Sequence, residues 1–409
     1  MEDATPVSRS QATQTFVAIF VLHAALDCYG GIWPIFKHLA DLPLGYAGFV
    51  ATSTTMVMWA LQPAFGHWAD QGRMRLCLLL GTALTFPMML LGPLGDHTET
   101  LGTIPSFTLM VIIMGMARLG QAMFHPAGAT VSASLTTKHR ATFLSAFIAA
   151  GWLGYGASQT VYSYTYFATG GHTELALLPG LVIFGWAAIR CAPIEPERPA
   201  TPARIHFGLA PLLKGDMLLL FVVLTLMSAM NQALFFLLPE FLTASHYPEW
   251  VVNGGGLVFL VIGAGIAMVP FGYLADRLGQ RLVFIVTIVL SGLTYAVLVM
   301  YPTKTVFGLA ALCILTGSVI SAVNPLGVSI AQLMAPRNMG SVGGIMMGLA
   351  WAVAATSQWI VGYLAERPGS GPSEALAWIA LTAPVAAVLT FALPRPARNG
   401  GMISGAATG

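Results

Sequence analysis

Asp27 and His23 share one apolar run of this 409-residue chain, and Arg118, Gln121 and His125 share another. On a helix, His23 precedes Asp27 by about one turn, so the two occupy one face. His125 follows Arg118 by about two turns, with Gln121 between them on much the same face. A carboxylate beside a guanidinium stays ionised, and losing that partner raises its proton affinity. Histidine titrates near neutral pH without such help. These residue types suit a site that gains and loses a proton as another charged group arrives or leaves. The competing reading is a structural Asp–Arg pair that only fixes helix packing.

The composition says what surrounds these groups. Hydrophobic residues make up 56% of the chain and charged residues 8%, and the mean hydropathy is +0.76. A soluble domain carries about 25% charged residues to solvate its surface. Eighteen Lys and Arg with sixteen Asp and Glu cannot do that for a chain of 43.2 kDa. Soluble enzymes and nucleic-acid-binding proteins are thereby excluded, and an all-α polytopic membrane protein is expected. At mid-bilayer an ionised side chain costs roughly +2.5 to +3.5 kcal/mol on the insertion scale. Asp27, Arg118 and, nearer a helix end, Glu240 each need a reason to be there.

A spanning helix needs about 20 mostly apolar residues. Such runs occur near 14–37, 44–69, 75–95, 104–135, 141–168 and 174–192, then near 216–242, 250–275, 282–301, 305–334, 340–364 and 373–393. Twelve transmembrane helices are predicted. Residues 1–192 form an N-terminal six-helix bundle, 193–215 a cytoplasmic linker, 216–394 a C-terminal bundle and 395–409 a cytoplasmic tail. The first run is too long for a cleaved leader and holds His23 and Asp27, so it reads as a retained helix. With the N-terminus inside, fourteen of the eighteen basic residues fall on the inner side. Lys37, Lys304 and Arg367 fall outside, and Arg118 lies within a span. The positive-inside rule then puts both termini in the cytoplasm. The first helix runs outward and the fourth inward, so Asp27 levels with Arg118 and His23 with His125.

The chain also repeats itself. Gly66 to Asp70 and Gly272 to Asp276 are offset by 206 residues. His125-Pro126-Ala127-Gly128 faces Asn324-Pro325-Leu326-Gly327 at offset 199, and Trp152 with Ser158-Gln159 faces Trp351 with Ser357-Gln358 at the same offset. Leu22 to Asp27 faces Leu226 to Asn231 at offset 204. Four blocks in order at nearly one offset indicate a six-helix unit duplicated in parallel. Where the first half carries titratable groups, the second carries Asn231, Gln232, Asn324 and Gln358, which orient a ligand by hydrogen bonds without titrating. Trp33, Trp152, Tyr155, Phe235, Phe236 and Trp351 are candidate walls of an apolar pocket. Gly151, Gly154 and Gly156 suit close helix packing.

Two parallel six-helix halves resemble the major facilitator superfamily along the whole chain. The loop Gly272-Tyr273-Leu274-Ala275-Asp276-Arg277-Leu278-Gly279-Gln280-Arg281 is similar to that family's signature; its N-terminal copy, ending Asp70-Gln71-Gly72-Arg73, matches less well. The resemblance implies a gating role for Asp70, Arg73, Asp276, Arg277 and Arg281 through Asp–Arg and helix-dipole contacts, and a central cavity lined by the first, fourth, seventh and tenth helices. Arg118-Leu119-Gly120-Gln121 resembles the fourth-helix motif of proton-coupled members, with Ala122 in place of its glycine. His23 to Asp27, Leu61 to Asp70 and Phe124-His125-Pro126 resemble the fosmidomycin-resistance branch of drug efflux proteins, from which the chain departs at Ala127 and Arg118. This implies a secondary transporter working by alternating access, with Asp27, Arg118, His23 and His125 coupling protons. Substrate would be held by Arg118, Gln121, Asn231, Gln232, Asn324, Tyr155, Trp351 and Gln358. Proton-driven efflux of a small organic compound or drug is expected; uptake or exchange of an organic anion held by Arg118 is the alternative. A channel or membrane-embedded enzyme is the reading from another class, and no catalytic motif supports it. Cys28, Cys77, Cys191 and Cys313 are scattered, without a CxxC pair, so neither a metal site nor a cofactor is expected. The expected partners are a small molecule, protons and the lipid bilayer, with no nucleic acid, for a monomer in a bacterial-type inner membrane.

Overall fold

The computed structural model describes residues 9–97, 100, 102–135, 140–191, 215–335, 342–343 and 345–393. The first half contains α1 (Gln11–Leu39), α2 (Leu44–Trp68), α3 (Gln71–Asp96), α4 (Ile104–Ser132) and α6 (Thr173–Arg190), with α5 (Arg140–Thr169) before the last of these. The second contains α7 (Asp216–Ala244), α8 (Val251–Leu278), α9 (Gln280–Met300), α10 (Val306–Met334), α11 (Ile345–Ala365) and α12 (Pro372–Phe391). Among the described residues eleven of these helices, all but α5, are long and apolar enough to cross a membrane. At 30 residues α5 has the length, but its glycines and its Ser, Thr and Tyr residues make it less apolar. It packs on α1 and, across the seam between the halves, on α8. The expected linker 193–215, Gly215 apart, and the tail 395–409 lie outside the described residues.

The outer faces explain why this chain is a poor soluble protein. Along α9, Leu282, Val286, Val289, Leu293, Val297 and Met300 recur at helical spacing and are all exposed. In water such a stripe would cost about 25 cal/mol for each Å². In a bilayer it is the solvent-matched face. Prolines sit inside α2 (Pro63), α4 (Pro126), α7 (Pro239), α8 (Pro270) and α10 (Pro325). Within α1 the helix breaks after Gly30 and restarts at Trp33, with Pro34 in the first turn.

Two glycines set the spacing at the centre. A Cβ on Gly154 of α5 would collide with the backbone carbonyl of Ala24, so α1 and α5 meet backbone to backbone. Gly254 at the start of α8 has φ +133°, and a Cβ there would strike Thr160 of α5. Only glycine serves both the conformation and the contact.

The duplication is visible in side chains as well as sequence. Arg75 Nη2 at the start of α3 donates to the carbonyl of Ala188 at the end of α6, at 2.9 Å. Arg281 Nη2 at the start of α9 donates to the carbonyl of Phe391 at the end of α12, at 2.7 Å. A cation on the free carbonyls of a helix C-terminus is favourable for the helix dipole too.

The described contacts between the halves include a run along α2 and α11. Glu366 after α11 reaches the first turn of α2, Thr52 Oγ1 donates to the Ala355 carbonyl at 2.7 Å, and Trp59 and Trp351 pack at 5.7 Å between centroids. The loops carrying Gln71–Arg73 and Asp276–Gly279 are exposed.

Candidate functional site

Asp27 projects from α1 between α4 and α5. Its Oδ2 lies 3.3 Å from His23 Nε2 and its Oδ1 lies 3.5 Å from His125 Nε2. Gln121 Nε2 also donates to Oδ1, at 3.2 Å. Gln121 in turn accepts from Arg118 Nη1 at 2.7 Å. All four candidates of the first half are thus gathered, with one correction. Asp27 does not pair with Arg118 as the depth argument expects; Gln121 stands between them. The reason is geometric: α1 and α4 pack so that Asp27 meets the turn from Gln121 to His125, leaving Arg118 about one turn away. The expected level pairing of the histidines is found, with ring centroids 5.2 Å apart.

α5 supplies the third wall without contributing a charge. A Cβ on Gly151 would lie 2.6 Å from both Asp27 Oδ2 and His23 Nε2, so glycine there makes room for the pair. Phe147, one turn earlier, stacks on His23 at 4.0 Å between centroids, and its carbonyl receives His23 Nδ1 at 2.7 Å. Neither Phe147 nor Gly151 was singled out as part of this site by residue type, because one acts through its backbone and the other through a missing side chain.

That carbonyl fixes the chemistry of the cluster. A carbonyl oxygen only accepts, so Nδ1 must carry a proton. With that tautomer Nε2 faces Asp27 Oδ2 at 3.3 Å, close enough for a proton to be shared between the two side chains. Among the described residues, His23, Asp27 and His125 are also the one grouping of His, Cys, Asp or Glu tight enough to hold a metal ion, their ligand atoms lying within 4.8 Å of one another.

Arg118 keeps spare capacity: its Nε is buried and without a hydrogen-bond partner. Across the seam, Tyr155 of α5 meets Phe235 of α7 edge to face at 5.5 Å. The polar residues of the second half are largely committed to each other. Gln232 Nε2 donates to the Trp351 carbonyl at 3.0 Å, Gln358 Nε2 donates to Gln232 Oε1 at 3.0 Å, and Ser228 donates to Asn324 Oδ1 at 3.3 Å. These bonds tie α7 to α11 and to α10. Asn231 Oδ1 is buried without a partner. Trp33 is no pocket wall: it is buried and donates from Nε1 to the Ala47 carbonyl at 3.2 Å, fixing α1 to α2.

The signature loops differ from the implied Asp–Arg contacts. Arg73 lies over Trp68 at 5.0 Å and Arg277 over Tyr273 at 4.6 Å, each on an aromatic ring of its own half. Arg281 is spent on the α12 carbonyl. Asp276 is exposed, and the side chain of Asp70 lies outside the described residues.

Glu240 has a partner that position alone misplaced. Lys37 is no loop charge but a side chain with 0% exposure, its Nζ 2.5 Å from Glu240 Oε2. His38 Nδ1 lies 3.3 Å from the other carboxylate oxygen. The readable signal was spacing: Lys37 and Glu240 are 203 residues apart, within one residue of the offset relating Asp27 to Asn231.

Comparison with known proteins agrees with this architecture. The chain is 25% identical over 378 residues to "Uncharacterized MFS-type transporter YfnC" of Bacillus subtilis (strain 168), covering 89% of this chain and 87% of that one. A bacterial homologue of the human lysosomal transporter Spinster, in an inward-facing and occupied conformation, superposes with TM-score 0.71 at 13% identity, covering 95% of this chain and 98% of that one. The nucleoside transporter NupG gives 0.69 at 13% identity, with 94% and 98% covered. The sequence model of the Major Facilitator Superfamily matches residues 15–347, and the chain belongs to that superfamily of multi-pass membrane transporters.

Proposed function

We propose that this transporter couples movement of a small organic compound to protons, and that the His23–Asp27 pair is the proton carrier. The carrying observation is the buried contact of His23 Nε2 with Asp27 Oδ2 at 3.3 Å, with the imidazole held in place by its Nδ1 on the Phe147 carbonyl. His125 and Gln121 hold the carboxylate in place, and Gln121 passes the influence of Arg118 to it. A substrate that draws Arg118 away frees Gln121 to turn, which removes a donor from Asp27 and favours its protonated form. Proton and substrate then exchange at one site while the two halves rock about it. In this reading twelve helices span the membrane, both termini face the cytoplasm, and residues 1–192 and 216–394 are the rocking bodies. Asp70, Arg73, Asp276, Arg277 and Arg281 belong to the inner gate. Efflux is the direction suggested by the likeness of the His23–Asp27 and Phe124–Pro126 segments to drug exporters of a bacterial inner membrane.

A second reading has one specific observation behind it. The unpartnered Arg118 Nε suits an organic anion, whose carboxylate or phosphonate would take that donor. Counter-transport in proteoliposomes, with and without an imposed pH gradient, tests the first reading directly. Flux of candidate drugs that ignores the gradient would overturn proton coupling; flux confined to anions would favour the second reading.

A further inference from the structure

At the far end of the seam, two carboxylates of the second half reach across to the first. Glu240 on α7 holds Lys37 of α1. Glu366, following α11, accepts from the backbone amides of Leu44 at 2.5 Å and Gly45 at 3.0 Å. Those amides are the free donors at the start of α2, where a helix dipole favours an anion. Ordinarily a residue of the same helix caps such an end; Pro43 precedes α2 and its side chain offers no acceptor.

The Lys37–Glu240 pair lies where a gate has the greatest leverage. The two residues are near-equivalents in the repeat, and parallel repeats are related by an axis along the membrane normal. Equivalent residues that touch must lie beside that axis. Lys37 is also the more costly partner to strand: it is wholly buried, rests 4.4 Å over the Phe236 ring and has Glu240 as its counter-ion. His38 braces Glu240 from the first half and is itself 3.2 Å from Thr243 of α7.

We infer that Glu240 and Glu366 form a two-point latch that holds the end opposite Arg73 and Arg277 closed, Glu240 on the Lys37 ammonium and Glu366 on the open amides of α2. The inference rests on the two halves rocking, as read above. To open that end, Lys37 must leave Glu240 and become hydrated, and α2 must lose its borrowed cap. The latch therefore weights the cycle toward the state described here. It lies away from the Asp27 cluster, so a change in it alters which side is open without changing the proton carrier.

The test measures conformation. Spin labels go at His172→Cys and Glu249→Cys, exposed positions flanking this end on opposite halves, with Cys28, Cys77, Cys191 and Cys313 replaced by serine. Pulsed dipolar spectroscopy of the purified chain in lipid nanodiscs reads the distance between them. Glu240→Gln is expected to move the distribution toward longer distances, and Glu240→Gln with Glu366→Gln to move it further. Distributions identical to the parent in both would overturn the latch. Should Glu240→Gln fail to fold, the charge exchange Lys37→Glu with Glu240→Lys replaces it. The exchanged pair should keep the short distance that Lys37→Glu alone loses, and an exchanged pair as open as the single reversal would sink the proposal. The readout needs neither substrate nor gradient, so a failed transport assay counts against proton coupling and leaves this measurement standing.

Discussion

Gln121 links Arg118 to Asp27: its amide oxygen accepts from the guanidinium at 2.7 Å and its amide nitrogen donates to the carboxylate at 3.2 Å. The orientation of one amide group therefore depends on the cation and determines what the carboxylate feels. Such a relay transmits a change at Arg118 without contact between the two charges.

Asp27→Asn removes the acidic partner while keeping the size of the side chain. Gradient-driven transport should be abolished, and downhill exchange of substrate should persist in a folded protein. Proteoliposome flux with and without a pH gradient checks this; equal gradient-driven rates in parent and variant would remove Asp27 from the coupling role.

Arg118→Lys separates substrate binding from tuning. If Arg118 grips an anion through its planar fork, lysine cannot reproduce the geometry, and affinity should fall by about 1.5–3 kcal/mol, the worth of a hydrogen bond to a charged group. If Arg118 acts on Asp27 alone, affinity stays and the pH profile moves. Titration of substrate at two pH values for parent and variant distinguishes them.

Two alanine substitutions on α5, one turn apart, should behave differently. At Gly154 the new methyl meets the Ala24 backbone, which cannot yield, so Gly154→Ala should cost about 1–3 kcal/mol by overpacking and lower the melting temperature in detergent. At Gly151 it meets the ends of two side chains. Gly151→Ala should lower melting less than Gly154→Ala and shift the pH dependence of transport, because His23 and Asp27 are displaced. Similar melting losses in both would contradict the distinction.

Asp276→Asn should slow transport more than Asp70→Asn, since the C-terminal loop keeps the fuller signature. Initial rates in whole cells at matched expression test the order, and the reverse order would contradict it.

Much of this was readable in the residues. Hydropathy and length gave the helices, because a bilayer imposes both on any spanning segment. The gathering of His23, Asp27, Gln121 and His125 followed from helical spacing and from the rarity of such groups in apolar runs. What escaped depends on how helices lie against each other. The offset between α1 and α4 decided that Gln121, not Arg118, meets Asp27. The Phe147 carbonyl carries no mark in its side chain, and Lys37 passed for a loop charge because hydropathy cannot see a counter-ion 203 residues away. The bonds of Gln232 and Gln358 to each other and to the Trp351 backbone likewise depend on how α7 lies against α11.

The twin arginine contacts, Arg75 on the last turn of α6 and Arg281 on the last turn of α12, tie the opening of one helix to the close of another three helices later. Each clasp begins and ends within its own repeat. In the rocking cycle proposed above, neither would be stretched as the halves tilt past one another. On that reading they would act as rivets in two stiff plates, leaving the compliance of the machine to the joint between the plates.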